Sequence, residues 1–216
     1  MKSFCIIGLG KFGIALANAL VDAGKQVMII DVDSEKVTEI ADNVTNAVIG
    51  DASNMNLLKA SGVADYDCAV VCMTSNISDI ILVTIQLKEL GVKHVIARAV
   101  NEGHKKVLEH VGADEIVYPE HDMGERLAFK LSNTSIEDFV QFKGYKVVEL
   151  VIPESWEGKD LITLNLRKNF GVNVIAVRYT DGRLDVSPSP TREFSAGEIV
   201  SIVGDDHDID KLTSKV

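Results

Sequence analysis

Near the start of the chain, Gly8-Leu9-Gly10-Lys11-Phe12-Gly13 has residue types and spacing suited to holding a phosphate group. The pattern is G-x-G-x-x-G, a weak signal when it stands alone. Here the apolar run Phe4–Gly8 leads into it, a helical pattern follows it, and Asp31 closes the next apolar run. Each glycine has a physical task. Gly8 permits a tight turn, Gly10 lets a phosphate approach the backbone, and Gly13 lets the helix pack close to the strand. The first turn of that helix offers unpaired N–H groups and a partial positive charge to an anion.

Asp31 can accept hydrogen bonds from ribose hydroxyls. It would repel a 2′-phosphate, and no Arg follows at once to receive one, so NADP is disfavoured. In Asp31-Val32-Asp33-Ser34 the same residue could instead cap a helix or shape a turn. Lys11 could reach the terminal phosphate of ADP or ATP as a point charge. Its alternative is a solvated lysine in a first helical turn, where the helix dipole disfavours a cation. Gly50-Asp51-Ala52 follows the third apolar run and Arg98 closes the fifth. Ligands of a parallel sheet sit outside such strand ends. Asp51 is a second polar contact or a turn residue, and Arg98 a phosphate ligand or half of a surface ion pair.

The elements that must position these residues are legible as strands alternating with helices over residues 4–117. Strands are expected at Phe4–Gly8, Gln26–Ile30, Asn46–Ile49, Cys68–Cys72, His94–Arg98 and Glu115–Val117. They are short, rich in Val and Ile, and do not alternate polar with apolar, as strands buried on both faces of a parallel sheet require. Helices are expected after the glycine loop and near 34–42, 54–61, 76–90 and 101–111, with Gly24, Gly62, Gly91 and Gly112 as stops. The 76–90 segment has little polar face, which predicts burial on more than one side, by the sheet and by a second subunit. Met123–Ser132 reads as a further helix. Beyond Asn133 the alternation ends, and strands are expected at Lys146–Ile152, Val172–Tyr179, Leu184–Val186 and Glu198–Val203, with a turn at Thr180–Arg183. The fold class is therefore α/β. A Rossmann-like doubly wound parallel sheet occupies residues 1–134, with a linking helix about 120–133, and a small α+β domain occupies residues 135–216.

Composition narrows the function. The chain has 216 residues and a formal net charge of −10, and no dense Lys/Arg run, which argues against a nucleic-acid partner. No apolar run reaches the roughly 20 residues that span a bilayer, and Met1-Lys2-Ser3 leads straight into a strand, so no signal peptide is expected. Cys5, Cys68 and Cys72 fall in apolar runs and are expected as reduced, buried thiols. His94, His104, His110, His121 and His207 are scattered, without the spacing of a metal site or a catalytic triad. Asp205-Asp206-His207-Asp208 reads as a solvated helix start. There is no G-x-x-x-x-G-K-[ST] loop, and no acid/base suited to a dehydrogenase stands out. A nucleotide-binding protein that is not an enzyme is the reading these residues favour. One alternative is a small NAD-dependent oxidoreductase; the other, a regulator of another cation channel or efflux system, comes only with a family resemblance.

With these residues in hand, the chain resembles the TrkA/KtrA family of potassium-transport regulatory subunits, built from an RCK N-domain and an RCK C-domain. The resemblance rests on Ile7–Gly13, Asp31, Gly50-Asp51-Ala52, Val107–Asp114 and Pro119-Glu120 in the first half. In the second half it rests on Gly158–Arg167, Gly171–Arg178, Ser187–Pro190 and Phe194–Glu198. It implies homodimers assembled into a homo-octameric ring, peripheral on the cytoplasmic face of a membrane-embedded, TrkH/KtrB-like potassium-conducting subunit. Nucleotide binding, by ATP/ADP or by NAD/NADH, would change the ring's shape and gate the pore. It places Gly8, Gly10, Lys11, Phe12, Gly13, Asp31, Asp51, Ala52 and Arg98 around the nucleotide, with Lys11 where Arg is common. It assigns Glu120 to a divalent cation, Mg or Ca, at the dimer interface. It also implies cyclic di-AMP binding near Leu161, Ile162, Arg167, Phe170 and Pro190, for which an ordinary apolar dimer interface is the alternative.

Overall fold

In a computed structural model of the chain, residues 1–73 and 76–215 are described. Val216, the last residue of the expected second domain, lies outside them. The chain divides into two compact units, Met1–His121 and Asp122–Val216. The division falls within a helix that was expected to link the domains as part of the first. From Asp122 onward that helix belongs to the second unit.

The first unit is built on β1 (Ser3–Ile7), β2 (Gln26–Asp31), β3 (Asn46–Ile49), β4 (Cys68–Val71), β5 (His94–Arg98) and β6 (Glu115–Val117). They pair in parallel in the order β3-β2-β1-β4-β5-β6, so the strand order reverses direction at β1. The helices between them are α1 (Lys11–Asp22), α2 (Ser34–Ile40), α3 (Met55–Ser61), α4 (Ile77–Glu89) and α5 (Glu102–His110). Alternate residues of β1 explain why no polar alternation was visible. Cys5 and Ile7 join the core on one sheet face, with Met28, Ile30, Ala69 and Val71. Ile6 joins the core on the other, with Val27, Ile29, Cys68 and Val70. A strand covered on both faces needs apolar side chains at every position. Gly24, Gly62, Gly91 and Gly112 all take positive φ just past the helices they follow. In α4, Ile80, Val83, Thr84, Gln86 and Leu87 are buried, while Leu82 points outward at 42% exposure. Within a single chain this helix is therefore covered mainly on one side.

The helix α6 (Pro119–Ser132) continues from the first unit into the second. The second unit holds β7 (Ile136–Phe142), β8 (Tyr145–Val151), α7 (Leu161–Leu164), α8 (Leu166–Phe170), β9 (Asn173–Arg178), β10 (Leu184–Asp185), β11 (Ile199–Asp205) and α9 (Asp206–Thr213). Its strands pair antiparallel in the order β10-β9-β11-β8-β7, around a core that includes Val148, Leu150, Trp156, Phe194 and Ile202. The strand β7 was not expected. A register shift between Ile136 and Asp138 breaks its alternation, and Val140 and Phe142 remain exposed, so it lacks the period of a half-buried strand. The helix start at Asp205 stands: Asp205 Oδ1 accepts from Asp208 N–H at 2.8 Å.

All three cysteines are free and buried. Burial pushes the Cys72 thiol from an ordinary 9.0 up to about 12, pushes Cys68 up to about 11, and raises Cys5 as well. The folded state holds the thiols neutral, whereas in the unfolded chain they ionise from about 9.0. Stability from this source is complete below that pH and is lost as pH rises from there towards the folded values. Iodoacetamide in mildly alkaline buffer is expected to leave Cys5, Cys68 and Cys72 unmodified in native protein and to label all of them in urea, read by intact mass. Rapid native labelling would contradict their burial.

Candidate functional site

The glycine loop runs from the end of β1 to the start of α1. Gly8 has φ +97°, and a Cβ there would stand 2.8 Å from the Met73 nitrogen. A Cβ on Gly13 would stand 2.1 Å from the Gly8 carbonyl oxygen. Neither position can carry a side chain without moving backbone. Gly10 differs: a Cβ there meets nothing within 4 Å. The space above Gly10 is where a ligand's phosphate could approach, and Gly10 is also the N-cap of α1. No side chain caps that helix, so its leading N–H groups have no side-chain acceptor.

Asp31 ties the loop to β2. Its Oδ2 accepts from Leu9 N–H in a short bond, and its Oδ1 accepts from Asp33 N–H at 2.9 Å. Its backbone carbonyl accepts from Gly50 N–H at 2.9 Å, which brings the Gly50-Asp51-Ala52 turn alongside. The helix cap at this point is Asp33, which accepts from Glu35 and Lys36 N–H groups. Asp31 shapes the turn and keeps lone pairs that a ribose hydroxyl can use.

Together these elements form a cleft of about 270 Å³ at the carboxyl ends of β1, β2, β3 and β4. Of the residues the sequence singled out, Gly8, Gly10, Asp31, Asp51 and Ala52 line it. Asp51 Oδ1 also accepts from Ser53 N–H at 2.9 Å, so it is turn former and cleft wall at once. Lys11, Phe12, Gly13 and Arg98 do not line the cleft; Gly13 is buried behind it and Lys11 is exposed at the start of α1. Two lining residues that sequence reasoning missed are Lys36 and Met73. Lys36 pairs with Asp33 at 3.1 Å, and the signal for it was a cation on the helix directly after the Asp31 turn. Nothing in the sequence distinguishes Met73, which reaches the cleft because Gly8 passes so close to it.

Arg98 is buried and donates to Glu120 Oε1 in a short ion pair, with its guanidinium 5.5 Å from the Phe12 ring centroid. The residue read from its strand end as a phosphate ligand or half of an ion pair, and the one assigned by resemblance to a cation, thus hold each other. Among the described residues no group of three or more His, Cys, Asp or Glu could hold a metal ion. Within one chain Glu120 alone does not make a cation site.

Residues 4–119 match the TrkA-N domain family and residues 147–216 the TrkA-C domain family. The chain is 36% identical over its whole length to the Ktr system potassium uptake protein C of Bacillus subtilis, covering 97% of that protein. This chain belongs to the TrkA/Ktr family of potassium uptake proteins. Its fold is shared by the GsuK channel bound to NAD, with 23% identity, a TM-score of 0.57, all of this chain and 39% of that one covered. GsuK bound to ADP is 27% identical, with a TM-score of 0.51, over 60% of this chain and 33% of that one. The chain spans less than half the length of those channel chains.

The second unit also has hollows. One, of about 830 Å³, lies against α6, β7 and β8 and is larger than the cleft. Its charged side chains are committed to partners, Arg126 to Asp138 at 2.7 Å and Lys146 to Asp210 at 3.3 Å. Its lining holds no glycine, so the smaller cleft, with its glycine loop and uncapped helix start, is the better candidate for a phosphate. Another hollow, of about 250 Å³, is lined by Leu161, Ile162, Arg167 and Pro190 with Leu166, Val172, Asn173 and Val174. Phe170, which was grouped with them, is not part of its lining.

The two glycine positions are expected to separate on substitution. Gly13→Ala should lower the thermal midpoint by several degrees, because its Cβ overlaps a backbone oxygen, whereas Gly10→Ala should leave it nearly unchanged. Differential scanning calorimetry checks both, and an equal loss in the two variants would contradict the geometry.

Proposed function

We propose that this chain is a nucleotide-binding regulatory subunit of a membrane potassium uptake system, and that it acts by binding, not by catalysis. The carrying observation is the uncapped start of α1 above the open face of Gly10, beside Asp31 and Asp51. A phosphate fits the helix terminus, and a ribose fits the Asp31 edge. The full-length similarity to a Ktr potassium uptake protein supports the transport role, and the similarity to GsuK bound to ADP supports an adenine nucleotide. ATP/ADP and NAD/NADH are the ligand classes this site would take.

The cleft also favours binding over turnover. Its ionisable lining groups are Asp31, Lys36, Asp51 and Cys72. Both Asp31 oxygens are engaged by backbone N–H groups, and Cys72 is held neutral by burial. A hydride-transferring oxidoreductase needs a free acid or base at such a mouth. A binding module acts by differential affinity for two shapes of its assembly. The assembly we propose is a homodimer within an octameric ring, on the inner face of the membrane against a potassium-conducting partner. No helix among the described residues is long and apolar enough to cross a membrane, so membrane attachment would come through that partner. A divalent cation at Glu120 would require Arg98 to release the carboxylate and a second copy to supply another. In the second unit, the hollow at Arg167 is the place to look for a cyclic dinucleotide.

A thermal-shift panel with ATP, ADP, AMP, NAD, NADH, NADPH and cyclic di-AMP tests the reading, since a ligand that binds only the folded state stabilises it. An adenine nucleotide is expected to raise the midpoint, and no shift with any of them would remove the nucleotide role. Asp31→Ala is expected to weaken every adenosine ligand by about 1–3 kcal/mol in calorimetry, because it strands ribose hydroxyls. Lys11→Ala is expected to weaken ATP more than NAD. Equal losses would place Lys11 away from the terminal phosphate.

A further inference from the structure

Arg98 stands at the carboxyl end of β5 and is 9% exposed. A guanidinium has five N–H donors and cannot shed its charge, so burial demands partners. Among the described residues it has a carboxylate oxygen of Glu120 and the face of Phe12, and its buried Nε has no hydrogen-bond partner. The ion pair is lopsided. The Arg98 side chain is 10% exposed and that of Glu120 is 61% exposed. The cation is fixed inside the unit, while the anion reaches in from the surface.

The location of this under-satisfied cation matters. Phe12 lies in the first turn of α1, whose N-terminus carries no side-chain cap. The positive charge of Arg98 also reaches Cys72, which lines the cleft. A ligand phosphate at the start of α1 would therefore enter the neighbourhood of a guanidinium with unused donors. Phosphate matches a guanidinium fork in two parallel bonds, which Glu120 does not achieve here.

We propose that Glu120 is an internal competitor for Arg98. It holds the guanidinium when the cleft is empty, and a phosphate entering at the start of α1 takes the guanidinium from it. The inference rests on the reading of the cleft as a nucleotide site. Two consequences follow from linkage. Glu120 lowers the affinity for nucleotides, and it does so most for ligands with the most phosphate charge. Conversely, a bound nucleotide loosens the first turn of α6, which carries Glu120. Glu120 then acts as an affinity-setting residue although it lies outside the cleft lining.

The experiment uses the full chain with divalent cations chelated, so that no metal bridges ligand and carboxylate. ATP and AMP affinities are measured by calorimetry for the unsubstituted protein, Glu120→Gln, Arg98→Met and the double variant. Hydrogen exchange is followed over the first two turns of α6. Glu120→Gln is expected to bind ATP about tenfold more tightly, as loss of a competing charge-assisted bond predicts, and AMP with a smaller gain. With Arg98→Met already present, Glu120→Gln should have no further effect. ATP should speed exchange at the start of α6 in the unsubstituted protein, and not in Glu120→Gln, where it is already fast. Unchanged or weaker ATP binding by Glu120→Gln overturns the proposal, as does a gain that persists without Arg98. If the unsubstituted protein binds no nucleotide, the reading of the cleft itself falls. If it binds nucleotide and Glu120→Gln behaves identically, only the competition falls.

Discussion

Gly13 lies so close to the turn before α1 that a Cβ there would stand 2.1 Å from the Gly8 carbonyl oxygen. That approach determines where the helix begins relative to the sheet. It brings the unpaired N–H groups of α1 to the carboxyl end of β1, at the point where the strand order of the sheet reverses. Gly8 adds a positive φ and a 2.8 Å approach to Met73, which leaves no room for a side chain on the β4 side. The anion-attracting end of the helix, the cleft and its depth all depend on these two contacts.

Asp31 extends the same constraint sideways. One carboxylate oxygen holds Leu9 and the other holds Asp33, while its carbonyl holds Gly50. The glycine loop, the start of α2 and the β3–α3 turn are therefore joined through one residue. A group committed in this way sits in a defined orientation, and its remaining lone pairs face the cleft without further ordering. The rigidity that a binding site needs comes here from backbone bonds to a single carboxylate.

The ion pairs follow a different logic. Arg98 and Glu120 are 22 positions apart in sequence and meet at the carboxyl end of β5. A buried cation beside an uncapped helix terminus is an arrangement open to a competing anion, which a solvent-exposed pair is not. In the second unit, the half-buried Arg192 pairs with the buried Glu198, which also accepts from Ser195 N–H at 2.9 Å. These bonds tie down the segment before β11, and the buried Nη1 of Arg192 has no hydrogen-bond partner.

The parallel α/β unit, its strand positions, the glycine loop, Asp31 and the Asp51 turn were legible in the residues, because each depends on local chemistry. Buried strands need unbroken apolar runs, helix ends need glycine at positive φ, and a loop that meets phosphate needs glycine at fixed spacing. The strand β7 escaped because a register shift and exposed Val140 and Phe142 erase its period. Tertiary structure alone decided what Lys36, Met73, Arg98 and Glu120 do. The first two line the cleft only because α2 begins and β4 ends beside it, and the last two are paired only because α6 begins where β5 ends. Sequence determines backbone chemistry over a few residues, whereas the partner of a long charged side chain is set by whichever element packs against it.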